Sequence, residues 1–198
     1  MLGAAPGRWK HVMALTVSTG LRRCEVLGLT WDRVDLVAGT LTVDRQLDAD
    51  GRRLAPVKTR NSERVIPLGA AAVRALEALR DDYPTVPVDL DHSDGYTVHG
   101  AHLVVQARTK TPVHPSYLGH VFKDAREAAG LPAGVTLHTL RHTFASMLIA
   151  QGTQPRVIQE RMGHGSIVIT MDTYGHLFPV EDNKTRDAID TALSGLTW

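Results

Sequence analysis

Four segments of this 198-residue sequence carry side chains able to handle an anionic centre. In His138-Thr139-Leu140-Arg141, an imidazole and a guanidinium stand three positions apart, which sets them on one face of a helix. At a helix start the free backbone N–H groups would join them, and the three together suit a phosphate or an oxyanion. The same spacing also occurs as a surface pair or around a core histidine. In Gly20-Leu21-Arg22-Arg23-Cys24-Glu25, the Glu25 carboxylate follows Arg22 at helical spacing and can orient its guanidinium. An ordinary ion pair has that spacing too, and position alone does not choose between Arg22 and Arg23. His164 sits between Gly163 and Gly165, consistent with a turn or a site. Beyond it, Tyr174 is a phenol of ordinary pKa near 10, so about one molecule in 10³ is ionised at pH 7. As a nucleophile it needs positive charge or a base close by; otherwise it is a packed helix-end aromatic. Lys58, in Val57-Lys58-Thr59-Arg60, is a flexible ammonium that can reach across a cleft or stay solvated in a hairpin.

Short elements must position these groups. Residues 8–30 read as two helical stretches, the second beginning near Gly20. Thr40–Val43 and Glu63–Ile66 read as strands, Asp50-Gly51 as a turn, and together they predict a small antiparallel sheet of two or three strands. Gly69–Asp82 has helical spacing. Residues 84–100 read as an acidic connection with little internal order, and Leu103-Val104-Val105 suggests one more strand. Pro112 and Pro115 open a helix that Gly130 stops, and three short helices follow near 139–150, 153–162 and 166–174. Ser116, Thr153 and Ser166 suit N-caps, and Gly152 and Gly163 suit C-caps. A last amphipathic helix is expected from about 180 to 194. The fold class is therefore α+β, mostly helical with a small antiparallel sheet. Neither a strand–GxGxxG–helix unit nor GxxxxGK[ST] is present, which removes the Rossmann and P-loop readings.

Composition narrows the function classes. With 43% hydrophobic and 22% charged residues, the chain is not a wholly disordered one. A net charge of +1 excludes a polybasic or histone-like protein but not a nucleic-acid partner, because a local patch matters more than the sum. The charge is sorted along the chain: seven basic and three acidic residues from Arg45 to Arg74, then five acidic and no basic ones from Asp81 to Asp94. The single cysteine, Cys24, forms no intrachain disulfide and no CxxC. No apolar run is long enough to span a membrane, and the first residues do not read as a secretion signal, so a cytoplasmic protein is expected. The ten histidines make no convincing ligand set, since His99 and His102 lack a completing carboxylate or cysteine.

Taken in order, the segments resemble the boxes of the tyrosine recombinases, the phage-integrase family. TGLRRCEVLGLTW is similar to the first arginine box, and VKTRNSERVIPL to the strand-borne lysine segment. LHTLRHTFASMLIAQG is similar to the HxxR box, and MGHGSIVITMDTYGHL to the terminal histidine-and-tyrosine box. Thr139 stands where many members have Asp. The resemblance covers about residues 8–180 and implies the family's DNA breaking-rejoining fold. It implies a catalytic domain over 1–180 and a C-terminal helical tail over 181–198, either exchanged between subunits or folded back on its own domain, with the N-terminal core-binding domain absent.

The implied activity is site-specific cutting and rejoining of duplex DNA through a 3′-phosphotyrosyl intermediate. Tyr174 would be the nucleophile, with Arg22 and Arg141 on the non-bridging oxygens. Lys58 would protonate the leaving 5′-oxygen, His138 would help take the tyrosine proton, and His164 would hydrogen-bond a non-bridging oxygen. Glu25 would be the supporting carboxylate, and His176 would be structural. No cofactor and no metal are implied, the guanidinium groups standing in for an ion. The implied partner is a double-stranded recombination site, bound as a homotetramer by a chain that is monomeric when free. The basic span from Arg45 should face that DNA and the acidic span from Asp81 should face away. A truncated DNA-binding remnant and a type IB topoisomerase-like enzyme stay open as alternatives.

Overall fold

The structure, a computed structural model, describes residues 2–179 and 182–195. Helix α1 (Trp9–Thr19) is the central beam, with Trp9, Val12, Met13, Leu15 and Thr16 buried at the spacing of a wide apolar stripe. It packs against α3 (Ala70–Asp82) and α5 (Leu137–Ala150). Gly20 ends α1 in the left-handed region, at φ 67°. A Cβ there would lie 2.4 Å from the Phe144 ring, so glycine satisfies both the turn and the close approach. The chain then enters α2 (Arg23–Leu27).

A three-stranded antiparallel sheet follows, in the order β1 (Val34–Asp35), β2 (Thr40–Val43), β5 (Arg64–Pro67). Leu41 pairs with Ile66 and Val43 with Arg64, and these four side chains are buried. The period of two therefore turns Arg64 inward with Ile66. The polar run expected as a turn is the tip of a further hairpin, β3 (Arg45–Leu47) with β4 (Leu54–Pro56). The Asp48 carboxylate closes it by accepting the Arg52 and Arg53 backbone N–H groups.

Residues 84–100 correct the expectation of an unordered connection. They contain a third hairpin, β6 (Val88–Asp91) with β7 (Thr97–Ala101), turning at Asp94-Gly95. Leu90 and Ala101 are buried while the aspartates line the exposed side, where Asp89 accepts from the Gly100 N–H and pairs with His99. The acidic residues are the outward half of a period-two pattern. Leu103, Val104 and Val105 are buried as an apolar run, but Leu103 makes only an isolated bridge to Thr30 and builds no strand.

The remaining helices are α4 (Pro115–Ala128), α5, α6 (Pro155–Met162), α7 (Ile167–Tyr174) and α8 (Asp182–Leu193). Their caps differ from expectation in detail. His114, not Ser116, caps α4 by accepting the Ser116 N–H on its ring. Gln154, not Thr153, precedes α6, and Ser166 holds the N-cap place of α7 without a side-chain bond. Gln151 is the C-cap of α5, one residue before the left-handed Gly152; Gly163 caps α6 as expected. The main apolar cluster surrounds α1, and a smaller one joins Phe144, Ala145, Ile149, Ile158, Met162 and Tyr174. Among the described residues, no helix is long and apolar enough to cross a membrane.

Candidate active site

Arg22 occupies the N-cap position of α2, and Glu25 reaches back to it. The carboxylate accepts the Arg22 backbone N–H at 2.8 Å and its Nη1 at 2.8 Å. Arg64 grips the same carboxylate from β5, with Nη2–Oε2 at 2.8 Å and Nη1–Oε1 at 3.2 Å. It also donates to the Ser62 and Arg161 carbonyls, each at 2.9 Å. Glu25 is only 2% exposed. Burial opposes its charge, but the Arg64 hydrogen bonds and the charges of Arg64 and Arg22 prevail and hold its carboxyl at about 2.

The first turn of α5 presents His138, and Arg141 follows a turn later. Thr139 makes the start firm by accepting the Thr136 backbone N–H at 2.9 Å, one half of a capping box. Arg141 is 2% exposed and runs beneath the surface. Its Nη1 donates to the Gly20 carbonyl at 2.5 Å and its Nη2 to the Met162 carbonyl. Arg22 Nη2 donates to the Gly163 carbonyl at 3.1 Å. Two guanidiniums thus converge on the carbonyl-rich ends of α1 and α6, where the helix dipoles favour cations. Burial and the Arg22 charge push Arg141 down to about 9, which still leaves it protonated at neutral pH.

These residues open on a cleft of about 530 Å³. Arg22, Arg23, Lys58, Lys123, Arg126, His138 and Arg141 line it, and no carboxylate does. Lys58 reaches it from an exposed bend just past β4, on the loop rather than on a strand. Such a lining attracts a polyanion.

Tyr174 and His164 lie outside that lining, on the α6–α7 side. Tyr174 ends α7 and is 4% exposed, its ring in the smaller apolar cluster. Burial raises its pKa, against a lowering pull from Arg141. The His164 ring lies nearly parallel to it at 6.4 Å, and His164 Nδ1 pairs with Thr170 Oγ1 at 2.9 Å. Burial, then the charges of Arg141, Arg22, Arg64 and His138, push His164 down to about 4, so it is neutral at pH 7.

Arg22, Lys58, His138 and Arg141 line the cleft and Glu25 braces Arg22 beneath it, while His164 and Tyr174 stand on the α6–α7 side within the electrostatic reach of Arg141. The structure adds two residues. Arg64 is one, and the alternation that buries Ile66 was its signal. His142 is the other: its Nδ1 lies 2.8 Å from the Tyr174 hydroxyl. No hydrogen bond joins His138, the expected acceptor, to Tyr174 among the described residues. His142 follows His138 by one helical turn, which was its only trace in the sequence. His176 is exposed and outside the cleft lining. His99 pairs with Asp89 while His102 contacts the Thr85 carbonyl, and no group of three or more His, Cys, Asp or Glu among the described residues is placed to hold a metal ion.

The family model for the phage integrase family matches residues 3–181. The chain belongs to that family. It is 29% identical to the ICEBs1 integrase of Bacillus subtilis (strain 168) over 187 residues, covering 93% of this chain and 49% of that protein. It is 31% identical to tyrosine recombinase XerD of Mycobacterium tuberculosis (strain ATCC 25618 / H37Rv) over 173 residues, covering 82% and 46%. This phage integrase family chain thus spans about half the length of the curated relatives it matches. Its fold is shared with the Tn1549 transposon integrase solved with circular intermediate DNA, at a TM-score of 0.74, 23% identity, and coverage of 92% and 59%. XerA recombinase gives a TM-score of 0.66 and 22% identity, with coverage of 100% and 60%.

Proposed function

We propose that this chain carries the chemistry of a site-specific tyrosine recombinase acting on duplex DNA in the cytoplasm. The observation that carries this reading is the Tyr174 phenol set beside the buried Arg141, next to a cleft lined with cations and no carboxylate. Tyr174 attacks a scissile phosphate and forms a 3′-phosphotyrosyl bond as the 5′-oxygen leaves. One phosphodiester replaces another, so a 5′-hydroxyl of a partner strand can reverse the step without an energy donor.

Arg22 and Arg141 hold the non-bridging oxygens, where charge concentrates in the transition state. The Glu25–Arg64 pair fixes the Arg22 fork in place. Lys58 protonates the leaving oxygen, and His164 donates to a non-bridging oxygen, its proton on Nε2 when Nδ1 accepts from Thr170. His138, on the cleft wall, completes the donors around the phosphate. These cations fill the place a divalent ion would take.

The test is incubation with a nicked suicide duplex in the presence of EDTA, followed by denaturing electrophoresis. A covalent protein–DNA adduct is expected from the wild type and none from Tyr174→Phe. An adduct that survives the substitution, or one that chelation abolishes, overturns the assignment.

The acting form on DNA is proposed to be a homotetramer of a chain that is monomeric when free, joined through α8. Ile189 is 52% exposed and Leu193 41%, and α7 presents Val168 at 58%. Exchange between neighbours would cover these faces. Changing Ile189→Ser and Leu193→Ser together is expected to remove the higher-order complexes seen by sedimentation on recombination-site DNA, with the melting temperature held within about 2 °C. Unchanged complexes would mean that the tail does not link subunits.

A further inference from the structure

We propose that His142 is the catalytic base of cleavage, taking the Tyr174 proton on Nδ1 as the phenol oxygen attacks phosphorus. The inference rests on the recombinase reading and sharpens it, because it moves proton removal from His138 to His142, one helical turn further along α5.

Geometry assigns the role. Nδ1 of His142 lies 2.8 Å from the Tyr174 hydroxyl, within the reach of a proton transfer without an intervening water. The two rings meet at 62° with centroids 5.6 Å apart. Chemistry then sets the direction of the bond. Burial keeps the phenol protonated, so its O–H is the donor. Burial, then the neighbouring Arg141 charge, keep His142 neutral, so its ring nitrogen can accept. With Nδ1 accepting, the ring proton sits on Nε2. The His138 and His142 rings stand nearly perpendicular, at 88° with centroids 4.6 Å apart, and His138 itself lines the cleft.

Position fits as well. His142 and Arg141 are adjacent on α5, so one helix presents the base to the nucleophile and a guanidinium to the site beside it. Tyr174 is held to that base by its own packing among Phe144, Ala145 and Ile149 of the same helix. The step balances. The Tyr174 Oη–P bond forms as the P–O5′ bond breaks; the phenol proton passes to His142, and the 5′-oxygen takes a proton from the Lys58 ammonium. In rejoining, the His142 imidazolium returns its proton to the departing phenolate, and neutral Lys58 takes the proton of the attacking 5′-hydroxyl.

Two measurements on the full chain test this. Nitrogen NMR of ¹⁵N-histidine-labelled protein without DNA is expected to show His142 neutral, with its proton on Nε2; a proton on Nδ1 overturns the proposal whatever the activity. Single-turnover adduct formation on the suicide duplex is expected to slow on the order of 10²-fold in His142→Gln. Replacing Tyr174 by the more acidic 3,5-difluorotyrosine should recover about tenfold of that loss, because a phenol that ionises readily needs less help from a base. A packing role would leave the loss unrecovered, which sinks the proposal, as would a wild-type rate in His142→Gln that itself forms the adduct through Tyr174. That last result leaves the recombinase reading standing, whereas a wild-type protein that forms no Tyr174-dependent adduct overturns both.

Discussion

Glu25→Gln is expected to lower folding stability at pH 7 by about 3 kcal/mol, the largest loss foreseen for a single polar substitution in this chain. The amide fits the space but leaves Arg64, whose side chain is 4% exposed, as an uncompensated buried cation. The Glu25 carboxyl falls from 4.5 to about 2 on folding. A depressed carboxyl stabilises fully above its unfolded pKa and loses that contribution as pH falls toward its folded one. The wild type should therefore lose stability between about pH 4.5 and 2, and Glu25→Gln should show a flatter acid limb over that window. Denaturant unfolding at pH 7 and pH 3 measures both effects. A difference below about 1 kcal/mol at pH 7 would mean that the pair contributes little beyond its own desolvation. Pairing the change with Arg64→Met is expected to recover much of the loss, because an apolar side chain of similar length has no charge to strand.

Arg141→Lys is expected to slow adduct formation by about 10³-fold while changing DNA binding less than tenfold. Arg141 holds the Gly20 and Met162 carbonyls with two separate nitrogens, and it is also part of the cleft lining. An ammonium keeps the charge but lacks the planar fork, so it cannot span both carbonyls and still address an oxygen. Binding draws on many phosphate contacts, whereas transition-state charge is concentrated at one. Single-turnover cleavage at saturating duplex, compared with gel-shift affinity, separates the two. Equal losses in both would reduce Arg141 to a binding residue.

Much of this site was legible because its residues sit at helical spacings, which survive any error in the surrounding fold. Arg22 with Glu25 and His138 with Arg141 each occupy one helix face, and the glycines beside His164 mark a tight turn. Arg64 was harder. It turns inward only because β2 and β5 pair in the register that sets Val43 against Arg64, and register is a tertiary property. His142 was hidden for a related reason: its partner lies 32 positions away, across a contact between α5 and the end of α7. The 84–100 hairpin was obscured by its own charge. Aspartate disfavours strands on average, yet at outward positions of a paired hairpin it is solvated and tied to neighbouring N–H groups, as Asp89 is to Gly100.

The struts beneath Arg22 and Arg141 also bear on protein synthesis. Arg22 rests on a carbonyl 141 positions later, and Arg141 ties back to one 121 positions earlier. A ribosome adding about 5–20 residues per second needs roughly 7–30 s to make the segment between Arg22 and its strut. Throughout that interval the emerging chain holds the first arginine without its support, without Arg141 for most of the time, and without the tyrosine. On the recombinase reading, cutting chemistry is thereby withheld from every copy not yet extended to Tyr174, and a chain broken off before Gly163 would present cations to DNA with no nucleophile to open it.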